Sequence, residues 1–274
     1  MVKYISPVPV GPYGLNILRV GISLVLFWMV WLFGKTSAGI QKKHVPRFLL
    51  CGLTGVAINQ MLFIKGLTMT STIHASLLML CTPLLITIFA FWILKEKITI
   101  LKSIGLVLGI GGAVLLILSK EKSGTSSLTG DTLIILNAIA YTLYFILAKP
   151  LMLEYHPLHV VRWVFTFGFI MILPFGWFQF NDIDWQSLTI SQSAALGFII
   201  FCGTFLAYSF NIFGLKHLGA GVTGSYIYTQ PVFAAIIAMI VLHENFTIEK
   251  LLAGSMIFGG VFLVSRKTPP IIQE

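Results

Sequence analysis

Charge is what this chain has least of. Only 10% of its 274 residues are Asp, Glu, Lys or Arg, while 57% are hydrophobic and mean hydropathy is +0.94. A soluble domain carries roughly a quarter charged residues, so this composition excludes a soluble fold and implies a polytopic membrane protein. Acidic residues are scarcer still, nine against 18 Lys and Arg. None lies deep in an apolar run, so no carboxylate proton relay can be assigned. Cysteine is nearly absent. Cys51, Cys81 and Cys202 sit in apolar stretches without C-x-x-C or Cys/His spacing, which argues for small core residues and against a disulfide framework or metal set. HExxH, GxSxG and P-loop motifs are missing as well, and HENF at His243 lacks the second His of a metalloprotease helix. No enzyme activity, metal or cofactor is expected. Prolines and the lack of a basic cluster ahead of the first apolar run argue against a cleavable signal peptide.

What is present is a series of apolar runs. A spanning helix needs about 20 mainly apolar residues. Nine runs meet that need: 14–33, 47–66, 72–94, 101–118, 131–151, 159–178, 193–214, 220–242 and 248–265. Connections are short, and no soluble domain fits between them. Thr99 and Thr247 are plausible N-caps, since a hydroxyl can accept the free N–H groups of a first turn. Alternate loops divide the basic residues unevenly. Lys35, Lys42, Lys43, Arg47, Lys95, Lys97, Lys102, Lys149, Arg162, Lys216, Arg266 and Lys267 fall on one side, and Lys3, Arg19, Lys65, Lys120, Lys122 and Lys250 on the other. The richer side is cytoplasmic by the positive-inside rule, so the C-terminus is expected inside and the N-terminus outside. The net charge of +9 then reflects topology and implies no nucleic-acid partner.

A pattern recurs 148 residues apart. Pro83, Glu96, Thr99 and Gly111-Gly112 match Pro231, Glu244, Thr247 and Gly259-Gly260. Upstream, Gly55, Gly66 and Leu67 match Gly203, Gly214 and Leu215 without a gap. Glu96 follows its helix on the inner side and Glu244 on the outer side, so the copies are inverted. That is a frequent plan for carriers that alternate access around a midplane site. The flanks add an absence. The counterpart of helix 131–151 would precede Met1, giving four helices in the first copy and five in the second. A late start, a deletion and a true nine-helix protein all fit.

At these residues the chain resembles the EamA-like members of the drug/metabolite transporter superfamily. The resemblance rests on the Pro–helix–Glu–Thr–Gly pattern from Pro83 to Gly112, again from Pro231 to Gly260, and on the segments Lys3 to Arg19 and Lys149 to Arg162. It implies ten helices in two inverted five-helix halves, both termini inside, a central cavity, and export of amino acids and other small metabolites. On this plan residues 1–122 form the first repeat, lacking its first helix, 130–267 the second, and 268–274 a tail.

Site candidates are the polar and kink-forming residues within spans. Pro83 and Pro231 are expected mid-helix, each freeing the carbonyl four residues back, at Met79 and Ile227. A freed carbonyl at membrane depth needs a partner, a cavity or a ligand. Asn59, Gln60, Asn137, Tyr141, Tyr144, Tyr208, Asn211, Tyr226 and Gln230 either bond between helices or line a cavity. Tyr228 adjoins the Pro231 kink less clearly. Tyrosines offer a face and a hydroxyl together, which suits neutral or zwitterionic solutes with apolar parts. Glu96 and Glu244 at helix ends read as a latch for one access state or as solvated turn charges. His74 reads as an interfacial histidine, and Lys65 and Arg19 as snorkelling cations. Gly105, Gly109 and Gly112 form a close-packing stripe, within a half or between subunits of a homodimer. The expectation is therefore an all-α polytopic inner-membrane protein with nine transmembrane helices in two inverted repeats (4 + 5). It is expected to be a secondary exporter of small organic metabolites, whose partners are its solute and the lipid bilayer. A truncated or partner-dependent membrane protein that does not transport is the alternative.

Overall fold

The computed structural model describes residues 1–33, 39–95, 99–118, 127–210, 213 and 229–265. Every regular element among them is helical. A short α1 (Val2–Ile5) precedes α2 (Pro12–Leu32). Then come α3 (Lys42–Met69), α4 (Thr72–Met79), α5 (Thr82–Leu94), α6 (Ile100–Leu118), α7 (Leu128–Glu154), α8 (Pro157–Asn181), α9 (Ile190–Phe210), α10 (Gln230–Val241) and α11 (Ile248–Ser265). Among the described residues, eight stretches are long and apolar enough to cross a membrane, with α4 and the start of α5 counting as one (Thr72–Phe89). The expected span 220–242 is represented by α10, an apolar helix of 12 residues. Its earlier part lies outside the described residues. The chain is thus an all-α, multi-pass membrane protein.

Helix starts follow local chemistry. Pro12 and Pro157 open α2 and α8, where the missing N–H costs nothing. Thr189 and Gln192 form a reciprocal capping box at α9. Thr99 accepts from the Lys102 N–H and Thr247 from the Lys250 N–H, both at 3.4 Å, so the two matched threonines cap matched helices.

The proline kink is corrected. The helix does not bend through Pro83. It ends at Met79 and restarts at Thr82, which puts Pro83 in the first turn of α5. Leu80 and Cys81 tighten the break by donating to the Leu77 and Leu78 carbonyls at 3.1 and 3.0 Å. The Met79 carbonyl accepts from the Thr82 hydroxyl at 2.8 Å. The residue before the proline thus supplies the partner that a freed carbonyl requires. Pro231 also stands in a first turn, that of α10. Ile227 is outside the described residues.

The repeat survives in three dimensions. Each copy contains a π-helical turn, Leu53–Ile58 within α3 and Phe201–Leu206 within α9, again 148 apart. Lys95 (φ 55°) and His243 (φ 53°) are the two non-glycine residues with positive φ among the described residues, and they too are matched. Both follow the C-terminal end of a helix, where a left-handed residue commonly stops the coil. Their placement shows the inversion. α4 begins beside Glu244, through hydrogen bonds from Thr72 and Ile73, whereas Lys95 lies at the far end of the α4–α5 stretch. The two stop residues therefore occupy opposite ends of the bundle.

The glycine stripe packs the halves of one chain together. A Cβ on Gly112 would stand 2.8 Å from the Ala253 carbonyl oxygen, and one on Gly260 2.5 Å from that of Gly105. Gly112 matches Gly260, and Gly105 matches Ala253. The α6–α11 contact is therefore reciprocal, as across a two-fold axis, and only small residues allow it. This face is spent inside the chain and is not free for a second subunit. Around it, Leu78, Leu84, Leu116, Ile134 and Ile257 form one apolar core. A second core joins Ile17, Phe27, Phe48, Val164 and Phe165.

Candidate functional site

The two π-helical turns flank the centre of the bundle, and the polar residues just beyond them meet. Gln60 Nε2 donates to the Tyr208 hydroxyl at 3.1 Å. These residues are repeat equivalents, so they touch at the pseudo-two-fold axis. π-turns often accompany functional sites, because they rotate later side chains onto a new face. Here they carry Gln60 and Tyr208 into contact. Gly55, inside the first π-turn, leaves room for Tyr144. A Cβ at position 55 would enter that ring. Tyr141 stands beside Tyr144, with ring centroids 5.8 Å apart. Phe165 packs edge-on to Tyr208 at 4.9 Å, and Phe27 joins Phe165 and Phe205 at 5.2 Å each. A polar centre with an aromatic wall results.

Two of the expected cavity residues bond across helices. Asn59 Nδ2 donates to the Asn137 carbonyl at 3.3 Å, and Asn137 Nδ2 to the Asn59 carbonyl at 2.8 Å. Both amides are 6% exposed or less and fasten α3 to α7. Gln230 is exposed at the start of α10 and is not brought into this cluster. Asn211, Tyr226, Tyr228 and Glu96 lie outside the described residues.

Arg19 corrects the snorkelling expectation. It begins the third turn of α2, about 10 Å along the helix, and is 7% exposed. Its Nε donates to the Thr204 hydroxyl of the second π-turn at 3.1 Å. The Thr204 hydroxyl in turn donates a hydrogen bond to the Ile199 carbonyl at 3.1 Å. Asn16, whose Nδ2 donates to the Gln60 carbonyl at 3.1 Å, and Ser23 are both fully buried. Asn16, Arg19 and Ser23 fall at i, i+3 and i+7, one helical face. That spacing was the available signal for this stripe.

Charged residues at the helix ends are also more buried than loop positions suggest. Glu244 Oε1 accepts from the Thr72 N–H at 2.9 Å and Oε2 from the Ile73 N–H at 3.1 Å. Lys3 Nζ lies 3.4 Å from Oε1, and the Glu244 side chain is 8% exposed. Burial opposes the charge on Glu244, but the two N–H groups and Lys3 prevail and hold the carboxyl below the ordinary carboxylate range. The solvated-turn reading is thereby excluded: the second half caps a helix of the first. Nearby, His74 Nδ1 faces Asp131 Oδ2 at 3.2 Å, and Thr70 donates to Oδ1 of the same carboxylate. His74 and Asp131 are both essentially inaccessible. His74 is not the isolated interfacial histidine expected, because the turn between α3 and α4 folds onto the first turn of α7. Lys250, 1% exposed, donates to the Asn245 carbonyl at 2.7 Å and is not a free loop charge. At the opposite end, buried Arg162 lies over the rings of Trp28 and Trp31 at 4.6 and 4.9 Å.

The comparisons agree with this geometry. A family model described as the EamA-like transporter family matches residues 1–118 and 128–266. The uncharacterized transporter YetK of Bacillus subtilis (strain 168) is 29% identical over 252 residues, covering 90% of this chain and 76% of that protein. An uncharacterized transporter of Archaeoglobus fulgidus is 23% identical, with 97% and 91% covered. A probable terminal-alkyne amino-acid exporter of Streptantibioticus cattleyicolor is 24% identical, with 83% and 75% covered. One solved crystal structure shares the fold with a TM-score of 0.63 at 18% identity, over 96% of this chain and 90% of that one. These three relatives bear transporter or exporter names. Matched in both halves by one family model, this chain belongs to the EamA-like transporter family.

Proposed function

We propose that the protein is a secondary exporter that moves small organic metabolites, amino acids or related compounds, across the cytoplasmic membrane by alternating access. The observation that carries this reading is the reciprocal contact of repeat equivalents at the bundle centre, above all Gln60 with Tyr208. In an inverted repeat, two access states arise when the halves exchange conformations around a shared site. A contact on the axis belongs to both halves and can reform in either state. The Glu244 carboxylate, bonded to Thr72, Ile73 and Lys3, would close one end in one state and release it in the other. The cluster of Gln60, Tyr141, Tyr144 and Tyr208 offers hydroxyl and amide groups beside an aromatic wall, which suits a solute with polar and apolar parts. The exporter named above is consistent with such a cargo. The uneven basic loops support a cytoplasmic C-terminus.

Efflux from cells preloaded with a panel of amino acids, nucleobases and cationic drugs tests the proposal. Expression should speed the loss of at least one class, and Tyr141→Ala or Tyr226→Ala should slow it while leaving membrane insertion intact. Failure to export any panel member would remove the exporter reading for those classes and favour the non-transporting alternative. Proteoliposomes with and without a pH gradient would reveal the coupling.

A further inference from the structure

The two buried arginines of α2 and α8 differ in how their charge is met. Arg162 has the faces of Trp28 and Trp31 and a contact with His159 Nδ1 at 3.1 Å. Among the described residues Arg19 has one hydrogen bond, from Nε to a neutral hydroxyl. Its Nη1 is fully buried and has no hydrogen-bond partner among the described residues. No described carboxylate lies within ion-pair distance of it. A guanidinium does not deprotonate in proteins, so a full positive charge stands in the bundle without a counter-ion among the described residues. Such a charge is costly when unpaired, and in membrane segments it marks a solute or ion path. Two more buried polar atoms on the same helix face lack partners among the described residues, Asn16 Oδ1 and Ser23 Oγ.

We infer that Arg19 is a binding residue for an anionic group, the carboxylate of the transported solute, which it meets from a seat anchored by Thr204 and flanked by Tyr208. This rests on the exporter reading and specifies its cargo. The planar guanidinium presents donors that match a carboxylate in a way an ammonium does not. The Nε–Thr204 bond fixes the plane of that fork against the second π-turn. Tyr208, bonded to Gln60, places the charge beside the axis contact, so the solute's anionic end lies where the halves meet. The rings of Phe27, Phe165 and Phe205 then serve the apolar end.

The test uses the full-length protein purified in detergent, with thermal stability read against four probes at matched ionic strength. These are 3-phenylpropionate, its neutral amide 3-phenylpropanamide, phenethylamine and sodium chloride. The carboxylate should raise the melting temperature, and the amide, amine and chloride should not. Arg19→Gln should abolish the shift. Arg19→Lys and Thr204→Val keep the charge and should weaken apparent binding about 10-fold, the loss of one charge-assisted hydrogen bond. The two milder variants decide the matter if Arg19→Gln does not fold. The inference is overturned if the amide stabilises as well as the carboxylate, if chloride alone reproduces the shift, if no probe shifts the native protein, or if the charge-retaining variants respond unchanged. Export of a neutral or cationic solute unaffected by Arg19→Lys would sink this subsite and leave the exporter reading standing. Arg19-dependent carboxylate binding without efflux would do the reverse.

Discussion

Gln60 and Tyr208 stand at equivalent positions of the two halves, and the side-chain amide of one donates to the hydroxyl of the other at 3.1 Å. Only residues on a pseudo-symmetry axis can be both equivalent and in contact. If this bond reforms in each access state, Gln60→Leu and Tyr208→Phe should each slow efflux several-fold, while stability falls by only about 1 kcal/mol, the worth of one buried hydrogen bond. The double variant should be no slower than the worse single. A double-mutant cycle on efflux rates checks this, and strictly additive effects would separate the two residues.

The α6–α11 crossing should discriminate sharply among glycines. A Cβ on Gly260 meets backbone 2.5 Å away, one on Gly112 meets it at 2.8 Å, and one on Gly111 meets only the end of Met256 at 3.4 Å. Gly260→Ala and Gly112→Ala should therefore destabilise by about 1–3 kcal/mol through overpacking. Gly111→Ala should be near neutral. Thermal unfolding in detergent would show the ordering, and equal effects at all three positions would contradict the crossing.

Glu244 links the halves through a charge. Its carboxyl is held below the ordinary range in the folded protein, so the folded state binds the proton less readily than the unfolded one. The stabilisation is fully present above the unfolded value. It is lost as pH falls below roughly 4 and passes through the folded value. Glu244→Gln should cost about 1 kcal/mol at neutral pH and should flatten the acid limb of a stability–pH profile. An unchanged acid limb would mean that another carboxylate controls it.

Asn59 and Asn137 each donate to the other's backbone carbonyl. Replacing either with Leu removes one bond and leaves one carbonyl short of a partner, at about 1 kcal/mol per bond within a membrane bundle. Asn137→Leu should lower the melting temperature while efflux per folded molecule stays within about two-fold of native, an allowance of less than 1 kcal/mol. A large loss of efflux without a stability change would return Asn137 to the solute site.

Asp131 accepts from Thr70 and faces His74 in a site closed to solvent. Removing one partner from a buried hydrogen-bonded cluster costs about 1–3 kcal/mol for each polar group left unsatisfied. Asp131→Ala should therefore reduce the yield of folded protein far more than Lys65→Ala, whose side chain is only partly buried. Membrane yield and detergent melting curves would read this, and equal yields would refute it.

Much of the architecture was legible because bilayer physics writes it in one dimension. Length and apolarity mark the spans, the 148-residue recurrence marks the halves, and Thr99 and Thr247 mark two helix starts. The candidate site was legible only in part. Tyr141, Tyr144, Gln60 and Tyr208 do gather, but Asn59 and Asn137 each donate to the other's backbone, and Gln230 is exposed at the start of α10. Pro83 shows why local rules stop short. The rule says that a carbonyl is freed, and packing of the break decides that the Thr82 hydroxyl takes it.

Taken alone, then, the sequence determined an all-helical membrane chain of two inverted copies, because composition and periodicity act through the solvent and need no knowledge of neighbours. Tertiary structure alone decided which polar groups are paired. It turned Arg19 from an interfacial cation into a buried one, brought Glu244 onto the Thr72 helix terminus, and set Gln60 against Tyr208. Hydrogen bonds and charge pairs depend on distances between residues far apart in the chain, and only the packed bundle sets those distances.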